Sequence, residues 1–236
     1  MYKLVEVNNY NNSTHGKFYI YDNCEISKIL ENNKIWEPHI HNIFDQYINK
    51  ESFVLETGCH IGSHTIKLGM ISKKVYAFEP MPKSNFLLEK NIEINNLKNI
   101  VLSNKGLSNI NKITSFDWIP YGNPGGSGLS DNPMRRPNYY KEITENKIFV
   151  ELISIDSLKI DKIDFMKIDV EGYEELVIDG AMETIKKCKP IIVLESWCDH
   201  YGGIDFEFTK NKFIKLLDFG YKLYNIKGPD YIFLYN

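Results

Sequence analysis

The sequence predicts an α/β, Rossmann-like fold: a seven-stranded, mostly parallel sheet finished by a C-terminal antiparallel β-hairpin. Three observations lead there. From residue 53 onward, short apolar runs alternate with helical apolar patterns, the rhythm of right-handed crossovers in a parallel sheet. A glycine turn, Glu56-Thr57-Gly58-Cys59-His60-Ile61-Gly62, follows the first of those runs directly. The chain closes on YKLYNI and YIFLYN joined by KGPD, a hairpin signal.

Taken in order, KFYIY (17–21) reads as a short strand, and residues 25–49 carry apolar residues at helical spacing with a break at Pro38. FVLET (53–57) is the first strand of the main sheet. SHTIKLGMISKK follows as a helix with Ser63 placed to cap it. VYAFEP is the second strand, SNFLLEKNIEINN the next helix, and NIVLSN the third strand. FMKID is the fourth strand, residues 174–187 a helix, and PIIVLES the fifth strand. FEFTKNKFIKLLDFG reads as a last helix closed by Gly220, before the hairpin. Residues 1–50 are expected to pack on the core as an N-terminal strand and helical segment, and 51–236 to form the main domain. Within it, 117–147 is rich in proline, glycine and aromatic residues. A loop that long is usually functional or disordered, and its aromatics favour a substrate-covering insertion over a surface excursion.

The glycine turn discriminates between cofactors. A dinucleotide turn needs G-x-G-x-x-G, but the second and third positions after Gly58 are His60 and Ser63. A phosphate-binding loop needs G-x-x-x-x-G-K-[ST], which is also absent. An acid two residues before Gly58 and a glycine four after it have the shape of an S-adenosylmethionine turn, with His60 in the place of the middle glycine. Glycines let backbone approach a ligand closely, Glu56 can face the methionine ammonium, and His60 is expected to face the pocket. Glu79, at the tip of the second strand, can accept both ribose hydroxyls; capping the next helix is the alternative.

VLETGCHIGSHTIKLG, VYAFEPMPKSNFLLEKNIEINN, LSNKGLSN, IDSL, IDFMKIDVEGYEELVIDGA and KPIIVLE together resemble the motifs of the FkbM-like methyltransferases, over about residues 36–236. The run Lys167 to Gly172, followed by Gly180-Ala181, is the most specific piece. The resemblance implies a class I methyltransferase fold and S-adenosylmethionine as cofactor, with O-methylation of a sugar or natural product. It extends the cofactor site to Glu37, His64, Thr65, Pro80, Asn104, Lys105 and Asp169, beside Glu56, Gly58, His60, Gly62 and Glu79. The family usually has Asp where Glu56 stands and often Asn where His60 stands.

A hydroxyl acceptor must lose a proton, which a carboxylate, a histidine or a metal can assist. Asp169 and Glu171 stand two apart at the end of the fourth strand, a spacing that places both on one face of an extended segment. They are candidate catalytic residues, and His200, just past the fifth strand, is the candidate general base. Asp169 with Glu195 would supply oxygen ligands for Mg²⁺. The alternative is structural: Asp169 orients the loop and Glu171 favours the next helix's N-terminus.

The formal net charge is −3, with no aromatic-basic stripe, so the expected acceptor is a small molecule or glycan and not nucleic acid. The four cysteines include no C-x-x-C pair, which fits a reducing, cytoplasmic setting. No apolar run is long enough to span a membrane. A homo-oligomer, another small-molecule or protein acceptor, and an inactive nucleotide-fold binding module stay open at this stage.

Overall fold

A computed structural model describes residues 2–8, 14–22, 24–117, 127–129, 147–198 and 203–236. The expected insertion falls almost wholly outside the described residues, and so does His200. The chain opens on an antiparallel pair, β1 (Tyr2–Asn8) and β2 (Thr14–Tyr21). The apolar pattern does not betray β1, because along it only Val7 is buried. Helices α1 (Glu25–Glu31) and α2 (Pro38–Tyr47) follow. Pro38 starts α2, where a missing N–H costs nothing.

Strand β3 (Phe53–Thr57) leads through the glycine turn into α3 (Thr65–Ile71), then β4 (Lys74–Phe78), α4 (Pro82–Ile94) and β5 (Ile100–Ser103). Ser63 does not cap α3: the helix starts two residues later, and His64 holds the cap position without a side-chain hydrogen bond. A second sheet, not foreseen from the sequence, comes next. It consists of β6 (Gly106–Leu107), β7 (Lys112–Asp117), β8 (Gly128–Leu129) and β9 (Lys147–Ile153), in the order β6-β9-β7-β8. β7 and β9 flank the insertion and β8 lies within it, so sequence neighbours do not announce the pairing.

The main sheet resumes with β10 (Phe165–Ile168), α5 (Glu174–Asp179), α6 (Met182–Cys188) and β11 (Ile191–Glu195). It ends with α7 (Phe206–Lys212), α8 (Ile214–Phe219), β12 (Tyr221–Lys227) and β13 (Asp230–Tyr235). The single helix expected over 174–187 is split at Gly180. A Cβ there would lie 2.0 Å from the Ser108 carbonyl oxygen, so the chain must pass that point as glycine. Asp156 then caps α6, accepting from the Thr184 amide at 2.8 Å. The last helix is likewise split at Phe213, which is buried.

The seven-stranded sheet has the order β12-β13-β11-β10-β3-β4-β5. Only β13 runs against the others. Period-two alternation sorts its side chains onto two faces. Leu55, Met166, Ile168, Ile192, Leu194 and Phe233 face a core with Val177, Ile185 and Leu216 of α5, α6 and α8. Val54, Val75, Phe165, Val193 and Ile232 face Ile40, Phe44, Leu68 and Leu88 of α2, α3 and α4. The N-terminal pair and α1 pack on Ile61, Ile66 and Leu87, beside the glycine turn. Strand order reverses between β3 and β10, the switch point where open α/β sheets bind ligands.

Candidate active site

Register brings the charged groups together. Glu56 pairs directly with Lys167, and Glu195 with Asp230. Glu56 follows Val54 by two residues, Lys167 follows Phe165, Glu195 follows Val193, and Asp230 precedes Ile232. All four therefore share the α2 and α3 face, at the carboxyl end of the parallel strands.

The turn after β3 is shaped by protein contacts before any ligand. Gly58 has φ +78, and a Cβ on it would lie 1.6 Å from the Asp169 carbonyl oxygen. Gly62, with φ +90, is overlaid by Leu88 of α4. The glycines thus let β3, β10 and α4 close on one another, a role beyond the ligand approach expected of them. His60 occupies the left-handed region at φ 49, which histidine tolerates better than most residues. Its ring lies against Tyr21 of β2, with centroids 5.8 Å apart, and neither ring nitrogen has a hydrogen-bond partner among the described residues. Burial lowers its pKa to about 4.

Glu79 staples the turn. One carboxylate oxygen accepts from the His60 amide at 2.7 Å and the other from the Met81 amide at 2.9 Å. Each oxygen keeps a second lone pair. Burial pushes Glu79 and Glu56 up to about 7, the backbone hydrogen bonds to Glu79 and the Lys167 charge beside Glu56 opposing it. Among the described residues Glu56 Oε2, Thr57 Oγ1 and Thr65 Oγ1 are buried without a well-formed hydrogen bond, although Thr65 lies close enough to the Glu56 carboxylate to lower its pKa; Thr57 points to the opposite face of β3.

Lys167 is the buried cation beneath these acids. Its Nζ lies 2.8 Å from Asp169 Oδ2. Burial alone favours the neutral amine, but Asp169, Glu37 and Glu56 outweigh it and hold the ammonium well above the ordinary lysine range. Glu37 enters from the start of α2 in a left-handed conformation, φ 46. Its carboxylate accepts from His64 Nε2 at 2.9 Å, and His64 Nδ1 lies 3.0 Å from His41 Nε2. Burial keeps both histidines neutral.

Asp169 and Glu171 do not share one face of an extended segment, because β10 ends at Ile168 and Glu171 turns to φ 54. The turn is braced by Glu174, which accepts from the amides of Val170 and Gly172 at 3.2 and 3.0 Å. Orienting that loop was the structural role expected of Asp169. Both acids still act on Glu195: its carboxyl is pushed well up, first by burial, then by Asp169 and Glu171.

Glu37, Glu56, Gly58, His60, Gly62, His64, Thr65, Glu79, Asp169, Glu171 and Glu195 thus gather at one end of the sheet. Asn104 and Lys105 follow β5 at the same end, where Asn104 is exposed and Lys105 pairs with Glu151 at 2.6 Å. Pro80 follows β4 and lies against Gly106. Sequence reasoning missed Lys167, Thr57, His41, His39 and Asp230. Lys167 stands inside the most specific motif, so its place in an otherwise apolar strand was the available signal. The others had none.

A Rossmann-like seven-stranded sheet with its antiparallel β13, and a glycine turn with acids at the switch point, define a class I methyltransferase. Residues 56–223 match the Methyltransferase FkbM domain, well over half the chain, and the chain belongs to that family. It is 25% identical over 193 residues to methyltransferase sdnD of Sordaria araneosa, covering 70% of this chain and 73% of that one. It is 24% identical over 178 residues to methyltransferase 1 of Beauveria bassiana, covering 68% and 69%. Methyltransferase FkbM from Methylobacillus flagellatus superposes with TM-score 0.53 at 15% identity, over 78% of this chain. The chain spans only 44% of that protein. The 16S rRNA N2 G1207 methyltransferase of T. thermophilus, solved with AdoMet and guanosine, superposes with TM-score 0.51 at 11% identity, over 100% of this chain and 51% of its own. Among the described residues no helix is long and apolar enough to cross a membrane.

Proposed function

We propose that this methyltransferase is S-adenosylmethionine-dependent and transfers the methyl group to a hydroxyl of a sugar or glycan. The observation that supports the cofactor most is the pair of buried oxygens on Glu56 and Thr65, side by side near Glu79 and without a well-formed hydrogen bond among the described residues. Buried polar atoms are normally paired, and these cluster at the switch point, where a polar ligand enters. Glu56 suits the methionine ammonium, and the spare lone pairs of Glu79 suit a ribose diol. Asn104, Lys105 and Pro80 flank the place for the adenine, and Glu37 with His64 closes the α2 side. When bound, the cofactor supplies a methyl group already activated on a sulfonium. The chain's own task is to align the acceptor and remove its proton.

For Mg²⁺ the fit is poor. Among the described residues no three His, Cys, Asp or Glu side chains converge to hold an ion. Asp169 and Glu195 alone fall short of the oxygen shell such a cation takes. Asp169 instead sits on the Lys167 ammonium. The net charge of −3 favours a small acceptor over nucleic acid.

Calorimetric titration with S-adenosylhomocysteine tests the cofactor. An ammonium settling beside Glu56 and ribose hydroxyls donating to Glu79 favour their ionised forms, so binding is expected to release protons, seen as a dependence of heat on buffer ionisation. Absence of binding overturns the reading. A radiolabelled-methyl screen over sugar nucleotides and glycans tests the acceptor, and label appearing only in RNA rejects that part.

A further inference from the structure

We propose that His39, held by Asp230, is the base that takes the proton from the acceptor hydroxyl; this rests on the O-methyltransferase reading above. His39 is the second residue of α2. Its Nε2 lies 2.7 Å from Asp230 Oδ2, and Asp230 pairs with Glu195 at the end of β11. The dyad therefore sits at the same carboxyl edge as Glu56 and Asp169. A carboxylate partner places the ring hydrogen on Nε2 and leaves a lone pair on Nδ1. That Nδ1 is buried and has no hydrogen-bond partner among the described residues. A buried acceptor without a donor is costly, and an arriving hydroxyl supplies the missing donor.

The other described histidines lack this combination. His64 has both nitrogens engaged, by Glu37 and His41. His41 lies beneath it, against Phe44 and His15. His60 has two open nitrogens but no carboxylate partner, and its ring packs on the N-terminal strand pair. The charged surroundings of the dyad are Glu37 and Lys167, which act on Asp230, with His64 close enough to feel His39.

In the transfer, the acceptor O–H bond breaks and its proton passes to Nδ1. The oxygen–methyl bond forms as the methyl–sulfur bond of the sulfonium donor breaks, its electron pair staying on sulfur. The resulting imidazolium faces the Asp230 carboxylate and later gives its proton to water. His39 is thus the catalytic residue, and Asp230 positions it.

The test uses the full chain with His39→Gln, His39→Ala and Asp230→Asn, each checked by thermal melting. Nitrogen-15 spectra of labelled histidine should place the His39 ring hydrogen of the free-base form on Nε2, and show a mixed tautomer in Asp230→Asn. A free-base tautomer with its hydrogen on Nδ1 overturns the proposal. S-adenosylhomocysteine affinity should stay within about twofold in all three variants. Label transfer to pooled sugar nucleotides and methyl glycosides should fall about 10²–10⁴-fold in both His39 variants and less in Asp230→Asn. Added imidazole should restore part of the His39→Ala loss, which a merely structural role would not allow. Full turnover in His39→Gln, with S-adenosylhomocysteine binding intact, refutes the proposal alone. Failure of the unaltered chain to bind S-adenosylhomocysteine refutes the reading beneath it as well.

Discussion

Replacing Glu56 by Gln should make the cofactor-free protein more stable at alkaline pH than the unaltered chain. Glu56 is fully buried, and burial raises its pKa from 4.5 to about 7. Between the unfolded value of 4.5 and the folded value of about 7 the unfolded chain carries this group ionised while the folded chain keeps the proton, so folding loses stability as pH rises. The part of that loss within reach of the assay falls in the window from about pH 5.5 to 7. The contribution is fully present below the unfolded value and lost as pH passes through the folded one. One proton over about 1.5 pH units amounts to about 2 kcal/mol. In a chain of this size that is about 4–8 °C in Tm. Gln mimics the protonated acid and carries no such dependence, and Lys167 keeps Asp169 as its partner. The assay is melting of both proteins without cofactor at about pH 5.5 and 8.5, spanning that window. The gap between them should open in favour of Glu56→Gln at the higher pH. Melting curves that shift in parallel would refute the burial argument. With S-adenosylhomocysteine present the gap should close, because the variant lacks the charge that meets the ammonium, worth about 1.5–3 kcal/mol.

Gly58→Ala should cost about 2–5 kcal/mol, from left-handed strain plus a Cβ driven into the Asp169 carbonyl, and shows as loss of soluble protein or a much lower Tm. At acid pH the histidines work with the opposite sign from Glu56. His15 and His60 are lowered from 6.5 to about 4 by burial, so the unfolded chain binds more protons and stability falls as pH drops through that window. His60→Asn, which keeps a side chain tolerant of the left-handed region, should flatten that acid limb in a pH series of melts by up to about 3 kcal/mol. Methyl transfer should be unaffected by EDTA, and a loss restored by Mg²⁺ would return Asp169 and Glu195 to the role of metal ligands.

Much of the fold was legible because its strands are short, apolar and bounded by glycine and proline. FVLET, VYAF and FMKI each announce themselves as buried strands, and the KGPD turn announces the hairpin. The second sheet did not, because β7 and β9 pair across the long insertion and carry Ile113 and Phe149 on an exposed face. Helix breaks at Gly180 and Phe213 were also hidden. There the helical pattern continues, and only the carbonyl of Ser108 and the packing of Phe213 interrupt it.

The candidate site divides along the same line. By itself the sequence determined the glycine turn, Glu79 at the next strand tip and the Lys167 to Gly172 run, since each is a local pattern set by backbone geometry near the chain's own neighbours. It could not say that Glu56 lies beside Lys167, that Glu37 reaches His64, or that Asp230 holds His39. Those pairs are separated by 111, 27 and 191 residues, counting Glu56 to Lys167 as 167 − 56. Strand register and the docking of α2 decide them. Burial then sets their chemistry: the same carboxylates and imidazoles in water would be ordinary, and in this core burial raises Glu56 and Asp230 and lowers His64.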